Sequence, residues 1–384
     1  MLTCLLRQES SELRWVIIFK QVGKRKNRVT KWLFNLHGWL GLLAGLFFLF
    51  YGFSGSLLMF RTELDRYFNA ELHNIEPRGK MLGIDGIYRN LVLNHQNLTK
   101  IVMHDFPTNA RDSYEFMAYR NVGSVTENYL YYICVDPYSG KILREGSYGE
   151  LQPSFFRWLY SLHYSLQLGI PGKLFTACIG LVMLLSLTSG LFIYRKHVWS
   201  ALRFKVKVNM KAGRLAMSGL HRIVGVWATL FTAILFFSGF WMNRSHFDPS
   251  MWKLKIPVKN TLVAVNIDTL VSRSKKMVEG FEPIAVNIPT TPRQPVLVKG
   301  HMPQSGKFLY RGKASAFTFD PDSGKLIKTS VIEKQTFAVR FDAWMYQLHI
   351  GAFGGNLLKW FYVLLGLLPG FLSVSGAVLW FKRR

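Results

Sequence analysis

Leu36-His37-Gly38-Trp39-Leu40-Gly41 opens a run, Gly38 to Phe60, that carries no charged side chain and stops at Arg61. A helix needs about 20 apolar residues to cross the hydrocarbon core of a bilayer. Three more uncharged runs of that size follow, at Leu174 to Tyr194, Ile223 to Met242 and Trp360 to Phe381. Aromatic residues at their ends and Lys or Arg just outside them are the pattern of interfacial anchoring. The first run is too long for a signal peptide, follows some thirty mixed residues and meets Arg61 in place of a small-residue cleavage site. The chain therefore reads as an integral membrane protein with four transmembrane helices.

Basic residues orient it, because Lys and Arg stay on the cytoplasmic side. Residues 1–36 hold 8 Lys/Arg against 2 acids, and the loop 195–222 holds 8 against none. The expected layout is a cytoplasmic segment 1–36, helix 37–60, outer segment 61–170, helix 171–195, basic loop 196–220, helix 221–243, outer segment 244–348, helix 349–381 and a tail 382–384, with both termini cytoplasmic. Outer residues 61–170 are near neutral, whereas 241–359 carry 17 Lys/Arg against 8 acids. That surplus favours an anionic partner. About half of the basic residues behind the net charge of +26 border membrane helices, where anionic headgroups and topology account for them, and no nucleic-acid motif is present, so nucleic acid is not expected as a partner.

The second half of the chain repeats the first. Leu36-His37 matches Leu220-His221, Ser54-Gly55 matches Ser238-Gly239, and Asp136-Pro137-Tyr138-Ser139-Gly140-Lys141 matches Asp320-Pro321-Asp322-Ser323-Gly324-Lys325, each at an offset of 184. Trp158-Leu159-Tyr160-Ser161-Leu162-His163 matches Trp344-Met345-Tyr346-Gln347-Leu348-His349, and Ser189-Gly190 matches Ser375-Gly376, both at 186. Each unit is a helix out, an outer domain and a helix back. An even number of crossings gives both copies the same orientation, related by a pseudo-twofold along the membrane normal. The alternating stretches Tyr131 to Val135 and Ala316 to Phe319 run into the Asp-Pro-x-Ser-Gly-Lys turns and predict β-hairpins, with the aspartates as turn formers.

Four of ten histidines sit on this repeat beside a membrane helix: His37, His163, His221 and His349. The pseudo-twofold brings His37 and His221 to one depth, and His163 and His349 to another, so that two imidazoles could flank one haem iron in each place. Gly41, Gly45 and Gly225 at one-turn spacing leave room for a flat macrocycle. The Ser-Gly pairs lie 17 residues after His37 and His221 and 26 after His163 and His349. At ~1.5 Å per residue, each pair falls near the face opposite its own histidine, beside the other site. The thirteen methionines form no copper-type array. Cys4, Cys134 and Cys178 are isolated, and no Cys-x-x-Cys-His occurs, which excludes covalent c-type haem. His73, His95, His104, His246 and His301 have no repeat partners and read as ordinary surface residues.

These landmarks resemble the PepSY-associated transmembrane family of bacterial inner-membrane proteins. The likeness rests on Leu36, His37 and Gly41 opening helix one, on Leu220, His221 and Gly225 opening helix three, and on the Ser-Gly pairs. It also rests on Leu348 to Gly355 before helix four and on the Asp-Pro-x-Ser-Gly-Lys hairpins. His163 is followed by Tyr164-Ser165-Leu166 rather than a glycine-rich run, so the two outer sites need not be equivalent. The resemblance implies an α+β integral membrane protein with two PepSY-like α/β periplasmic domains and two b-type haems per chain. It implies a ferric-siderophore reductase, an enzyme fed with electrons from the cytoplasmic side. No dinucleotide or flavin motif is present, so a separate reductase or quinol would be the donor. The alternatives are an iron or siderophore permease, for which four uncharged helices offer no polar path, and a non-catalytic regulatory membrane module.

Overall fold

The computed structural model describes residues 28–382 apart from 108, 126–128, 153, 211–212, 304–309 and 311–313; for 2–27 and 129 only the backbone is described. Cys4, Arg383 and Arg384 of the sequence reading lie outside these residues. In chain order the first copy comprises α1 (Leu2–Leu58), α2 (Arg61–Phe68), α3 (Ile84–Asn94), β1 (Leu98–Met103), β2 (Tyr114–Arg120), β3 (Tyr129–Val135), β4 (Ile142–Ser147), α4 (Phe155–Ser165) and α5 (Gly169–Tyr194). After α6 (Val198–Leu202), the second comprises α7 (Gly213–Asn243), α8 (Ile267–Met277), β5 (Glu282–Pro289), β6 (Val296–His301), β7 (Ser315–Phe319), β8 (Leu326–Ser330), α9 (Phe337–Ile350) and α10 (Gly355–Phe381). The helix-out, sheet and helix-back order recurs as the repeat requires.

Among the described residues, four stretches are long and apolar enough to span a membrane: Arg28–Leu58, Gly169–Leu202, Gly213–Phe247 and Gly355–Phe381. They differ from the expected spans at their starts. His37 and His221 lie inside α1 and α7 instead of heading them. His349, placed by the sequence reading at the head of helix 349–381, belongs to the separate helix α9. Gly351, with φ of 61°, ends α9 in the left-handed region before α10 begins. In the first copy Leu166, with φ of 51°, closes α4 in the same way, so His163 also sits on a short helix of its own.

The chain divides into two compact units, one of residues 1–53, 179–236 and 365–384, the other of 54–178 and 237–364. In the first, small residues let helices approach. A Cβ at Gly52 would fall 2.7 Å from the Gly366 carbonyl oxygen, and the Ser373 hydroxyl donates to the Gly45 carbonyl at 2.8 Å. Ala44, Phe48 and Met183 are buried there together.

The second unit holds one eight-stranded antiparallel sheet in the order β4-β3-β2-β1-β5-β6-β7-β8. The sequence reading divides the outer residues into two domains, 61–170 and 244–348; the structure fuses them. β1 pairs antiparallel with β5, its own repeat equivalent, with Val102 opposite Asn287, as a local twofold demands. Joining the two edges this way leaves neither exposed. Helices α3 and α8 contribute to a single buried core that runs across the join, from Tyr88 and Leu91 through Ile101 and Phe116 to Val286, Leu270 and Phe317. The two helix N-termini are capped reciprocally. Asp268 accepts from the Ile84 and Asp85 amides at 2.9 and 3.0 Å, and Asp85 accepts from the Ile267 amide at 3.0 Å. Gly83 makes room, since a Cβ there would lie 2.4 Å from Asp268 Oδ2. Asp136 and Asp320 accept amide hydrogens of their own turns, from Tyr138 at 2.8 Å and Ser323 at 2.7 Å, in agreement with the turn-forming role.

Candidate paired-histidine sites

The first pair lies within the first unit. His37 and His221 face each other with ring centroids 6.4 Å apart. His37 Nδ1 lies 2.9 Å from the Ser186 carbonyl oxygen and 3.2 Å from Ser189 Oγ. A carbonyl only accepts, so Nδ1 carries the proton and Nε2 the lone pair. The Ser189 hydroxyl donates to the same carbonyl at 2.8 Å, which leaves its oxygen to accept from His37. His221 Nδ1 lies 2.8 Å from Ser375 Oγ, and the Ser375 hydroxyl donates to the Leu372 carbonyl at 3.2 Å. The same tautomer follows for His221.

The second pair lies within the second unit. His163 and His349 have ring centroids 6.4 Å apart. His163 Nδ1 is 2.7 Å from Ser54 Oγ, and His349 Nδ1 is 3.0 Å from Ser238 Oγ. Burial, with the His349 imidazole beside it, pushes His163 down to about 3. A neutral ring is the form that ligates a metal.

All four Ser-Gly pairs have the same function: the serine meets Nδ1 and the glycine admits the ring. Ideal Cβ atoms at Gly190, Gly239, Gly55 and Gly376 would lie 2.8, 3.2, 3.3 and 3.4 Å from Cε1 of His37, His349, His163 and His221 respectively. The pairs therefore do more than tighten helix packing. Of the glycines expected to admit a macrocycle, Gly41 has nothing within 4 Å of its ideal Cβ and Gly225 only Leu372 at 3.8 Å. Gly45 is a correction, because Ser373 Oγ would be 2.7 Å from its Cβ and the residue serves a helix contact instead.

Two imidazoles on opposite sides of one metal, each bonded at ~2.0–2.1 Å, put ring centres roughly 6.3 Å apart, close to the 6.4 Å of both pairs. Among the described residues no group of three or more His, Cys, Asp or Glu assembles. Haem fits such a donor set, because the macrocycle supplies four nitrogens and the protein only the axial two. A hydrogen bond on the non-ligating nitrogen is the support metal-bound histidines use.

Several supporting residues escaped the sequence reading. On α4, Arg157 donates to Asp65 Oδ2 at 2.6 Å and to Glu115, and lies 3.9 Å from the centre of the Tyr132 ring. Ser154 caps α4 and donates to Asp65 Oδ1 at 2.8 Å. These contacts hold the helix that carries His163. On the other side the Tyr362 hydroxyl donates to the Leu348 carbonyl at 2.7 Å, next to His349. Asp342 of α9 accepts from Trp241 Nε1 and Arg244 Nη2 at 2.7 and 2.8 Å. The one available signal was a lone arginine in the apolar Phe155 to Leu162 stretch. Three of the unrepeated histidines are not ordinary surface residues either, whereas His104 is exposed as expected. His246 is buried, His95 Nε2 reaches Glu145 Oε2 at 2.8 Å, and His73 lies between Asp112 and Glu115.

Comparison with curated proteins returns no match. The sequence pattern described as the PepSY-associated TM region matches residues 34–383. With four membrane-spanning stretches, an antiparallel sheet and that match over nearly its whole length, the chain is an α+β integral membrane protein that belongs to the PepSY-associated transmembrane family.

Proposed function

We propose that the protein is a haem b oxidoreductase of a bacterial inner membrane, carrying electrons from the cytoplasmic side to a periplasmic acceptor, with ferric siderophore as the acceptor. The observation that carries the reading is the fourfold use of one device. A histidine is matched by a serine at Nδ1 and a glycine at Cε1, twice in each pair.

His37 and His221 would hold one haem, and His163 and His349 the other. Bound there, haem supplies a one-electron ferric/ferrous couple. The chain does the rest. The serines engage each Nδ1 and so leave Nε2 to face the metal, the glycines let each ring stand against a helix backbone, and burial keeps the His163 ring neutral. The charge-free runs within the helices exclude water and ions from the path. Electrons would come from a separate reductase or from quinol.

Ferric iron is the acceptor that chemistry favours. Hard oxygen ligands hold it far better than ferrous iron, so one-electron reduction loosens the chelate. The two competing readings, a permease and a regulatory membrane module, need none of the four histidines.

The test is a pyridine haemochrome measurement on purified protein, followed by stopped-flow reoxidation of dithionite-reduced protein with ferric chelates. Two acid-acetone-extractable haems per chain and rapid reoxidation are expected. One haem or none sinks the paired-histidine reading, and failure of every ferric chelate to reoxidise the protein sinks the acceptor.

A further inference from the structure

The second unit contains a solvent-open recess of about 520 Å³ that the paired histidines do not use, lined by Arg66, His73, Asn74, Pro77, Ala110 and Arg111. Its volume is in the range of small-molecule sites. α2 supplies Arg66, the turn after it His73 and Asn74, and the β1–β2 connection Ala110 and Arg111. The Ile75 amide donates to the Arg111 carbonyl at 3.0 Å and the Ser113 amide to the Leu72 carbonyl at 3.1 Å. The two walls are therefore pinned together by backbone.

The charges in the recess are unbalanced. Two carboxylates adjoin it through His73: Glu115, which accepts from Arg157, and Asp112, which is buried at 4% exposure. Its Oδ1 accepts from Arg66 Nη2 and its Oδ2 from the Asn109 amide at 3.3 Å. Both oxygens are thus occupied, and one guanidinium is matched. Arg111 engages no carboxylate among the described residues, and its own amide is held by Asn109 Oδ1 at 2.7 Å. His73 Nδ1 is shut off from solvent without a hydrogen bond among the described residues, at 3.5 Å from Asp112 Oδ1. The recess thus offers a guanidinium fork, the amide hydrogen of Asn74 left over from its bond to the Ala70 carbonyl and a small apolar wall of Pro77 and Ala110. A fork of N–H groups suits the paired oxygens of a carboxylate or phosphate.

We infer that this recess is a binding site for an oxyanion, a carboxylate or phosphate group borne by an organic ligand, with Arg111 as the principal contact and Arg66 as the second. The site stands independently of any redox role, since none of its residues touches the histidine pairs. The same chemistry has two sources, a soluble polycarboxylate and the phosphate of a lipid headgroup.

The full chain in nanodiscs of phosphatidylcholine is titrated with citrate and with inorganic phosphate by calorimetry. Saturable binding is expected, weakened at least ten-fold in Arg111→Gln, partly restored in Arg111→Lys and unchanged in Lys328→Gln, a variant of an exposed lysine on β8. Repeating the titration with 30% phosphatidylglycerol in the disc identifies the source. Loss of citrate binding there assigns the site to a lipid phosphate, and retention assigns it to a soluble anion; both support it. Arg111 is a surface residue, and a thermal melt checks that its variants fold. No saturable binding of either anion, or equal weakening by Lys328→Gln, overturns the proposal.

Discussion

Adding one methyl group at each of the four glycines grades the histidine sites by distance. An ideal Cβ at Gly190 falls 2.8 Å from His37 Cε1, whereas carbon atoms settle at ~3.5–4.0 Å. In Gly190→Ala the ring must retreat by roughly 0.7 Å. The 2.9 Å bond from His37 Nδ1 to the Ser186 carbonyl then stretches past hydrogen-bond range, which begins to fail near ~3.5 Å. Overpacking costs about 1–3 kcal/mol and the lost bond about 1 kcal/mol. Together they weaken ligand binding at this pair by roughly 30- to 1000-fold. At Gly376 the same methyl would lie 3.4 Å from His221 Cε1, an ordinary contact, and Gly376→Ala should be nearly silent. Haem per chain by pyridine haemochrome, with the reduced-minus-oxidised spectrum, reads both. Gly190→Ala should keep about half its haem, in the His163–His349 site. If Gly190→Ala retains a full complement and an unaltered spectrum, or if Gly376→Ala is the more damaged of the two, the close-approach argument is wrong.

Replacing His349 with Ala should remove about half the haem and leave the spectrum of the remainder intact; a variant that loses nothing would break the pairing of His349 with His163. Ser375→Ala removes the partner of His221 Nδ1, and support of this kind is typically worth 10- to 100-fold in metal affinity, so haem should leave the His37–His221 site faster in a competition assay with apomyoglobin. Asp268→Ala strips the cap from two amides of α3 and should destabilise the fused sheet by about 2 kcal/mol, read as an earlier proteolytic or thermal transition; Asp268→Asn should recover part of it. Arg157→Ala leaves Asp65 and Glu115 without their shared cation. Breaking such a buried pair costs about 3–5 kcal/mol, and haem retention should fall at the His163–His349 site alone.

The four membrane runs, the duplication and the pairing of His37 with His221 and of His163 with His349 were legible because each is a property of spacing along one chain. Hydrophobic length fixes a span, and equal offsets fix a repeat. The union of the two outer segments was not legible. It depends on one edge strand finding its own equivalent in antiparallel register, and nothing in Lys100 to Met103 or Val286 to Pro289 announces a partner. The Ser-Gly pairs were placed by helical rise beside the opposite site, but whether they faced a ring or another helix needed coordinates. The coordination of Asp65 by Arg157 comes from the meeting of segments far apart in the chain, beyond any local pattern. The start of α1 well before His37 was missed because the reading followed charge-free length, and a helix does not end where charge begins.

The reciprocal caps and the β1–β5 seam carry an implication for ancestry. Two contacts across that seam join a group to the counterpart of its own partner: strand to equivalent strand, and Asp85 and Asp268 each to the opposite helix. A half-length chain bearing one such copy already holds both sides of the seam and would close it by associating with a second molecule of itself. The single polypeptide then amounts to a tethered homodimer, in which gene fusion replaced assembly by diffusion and freed the copies to diverge. The glycine-rich turn after His349 and its absence after His163 are the kind of asymmetry that two identical subunits could never have acquired.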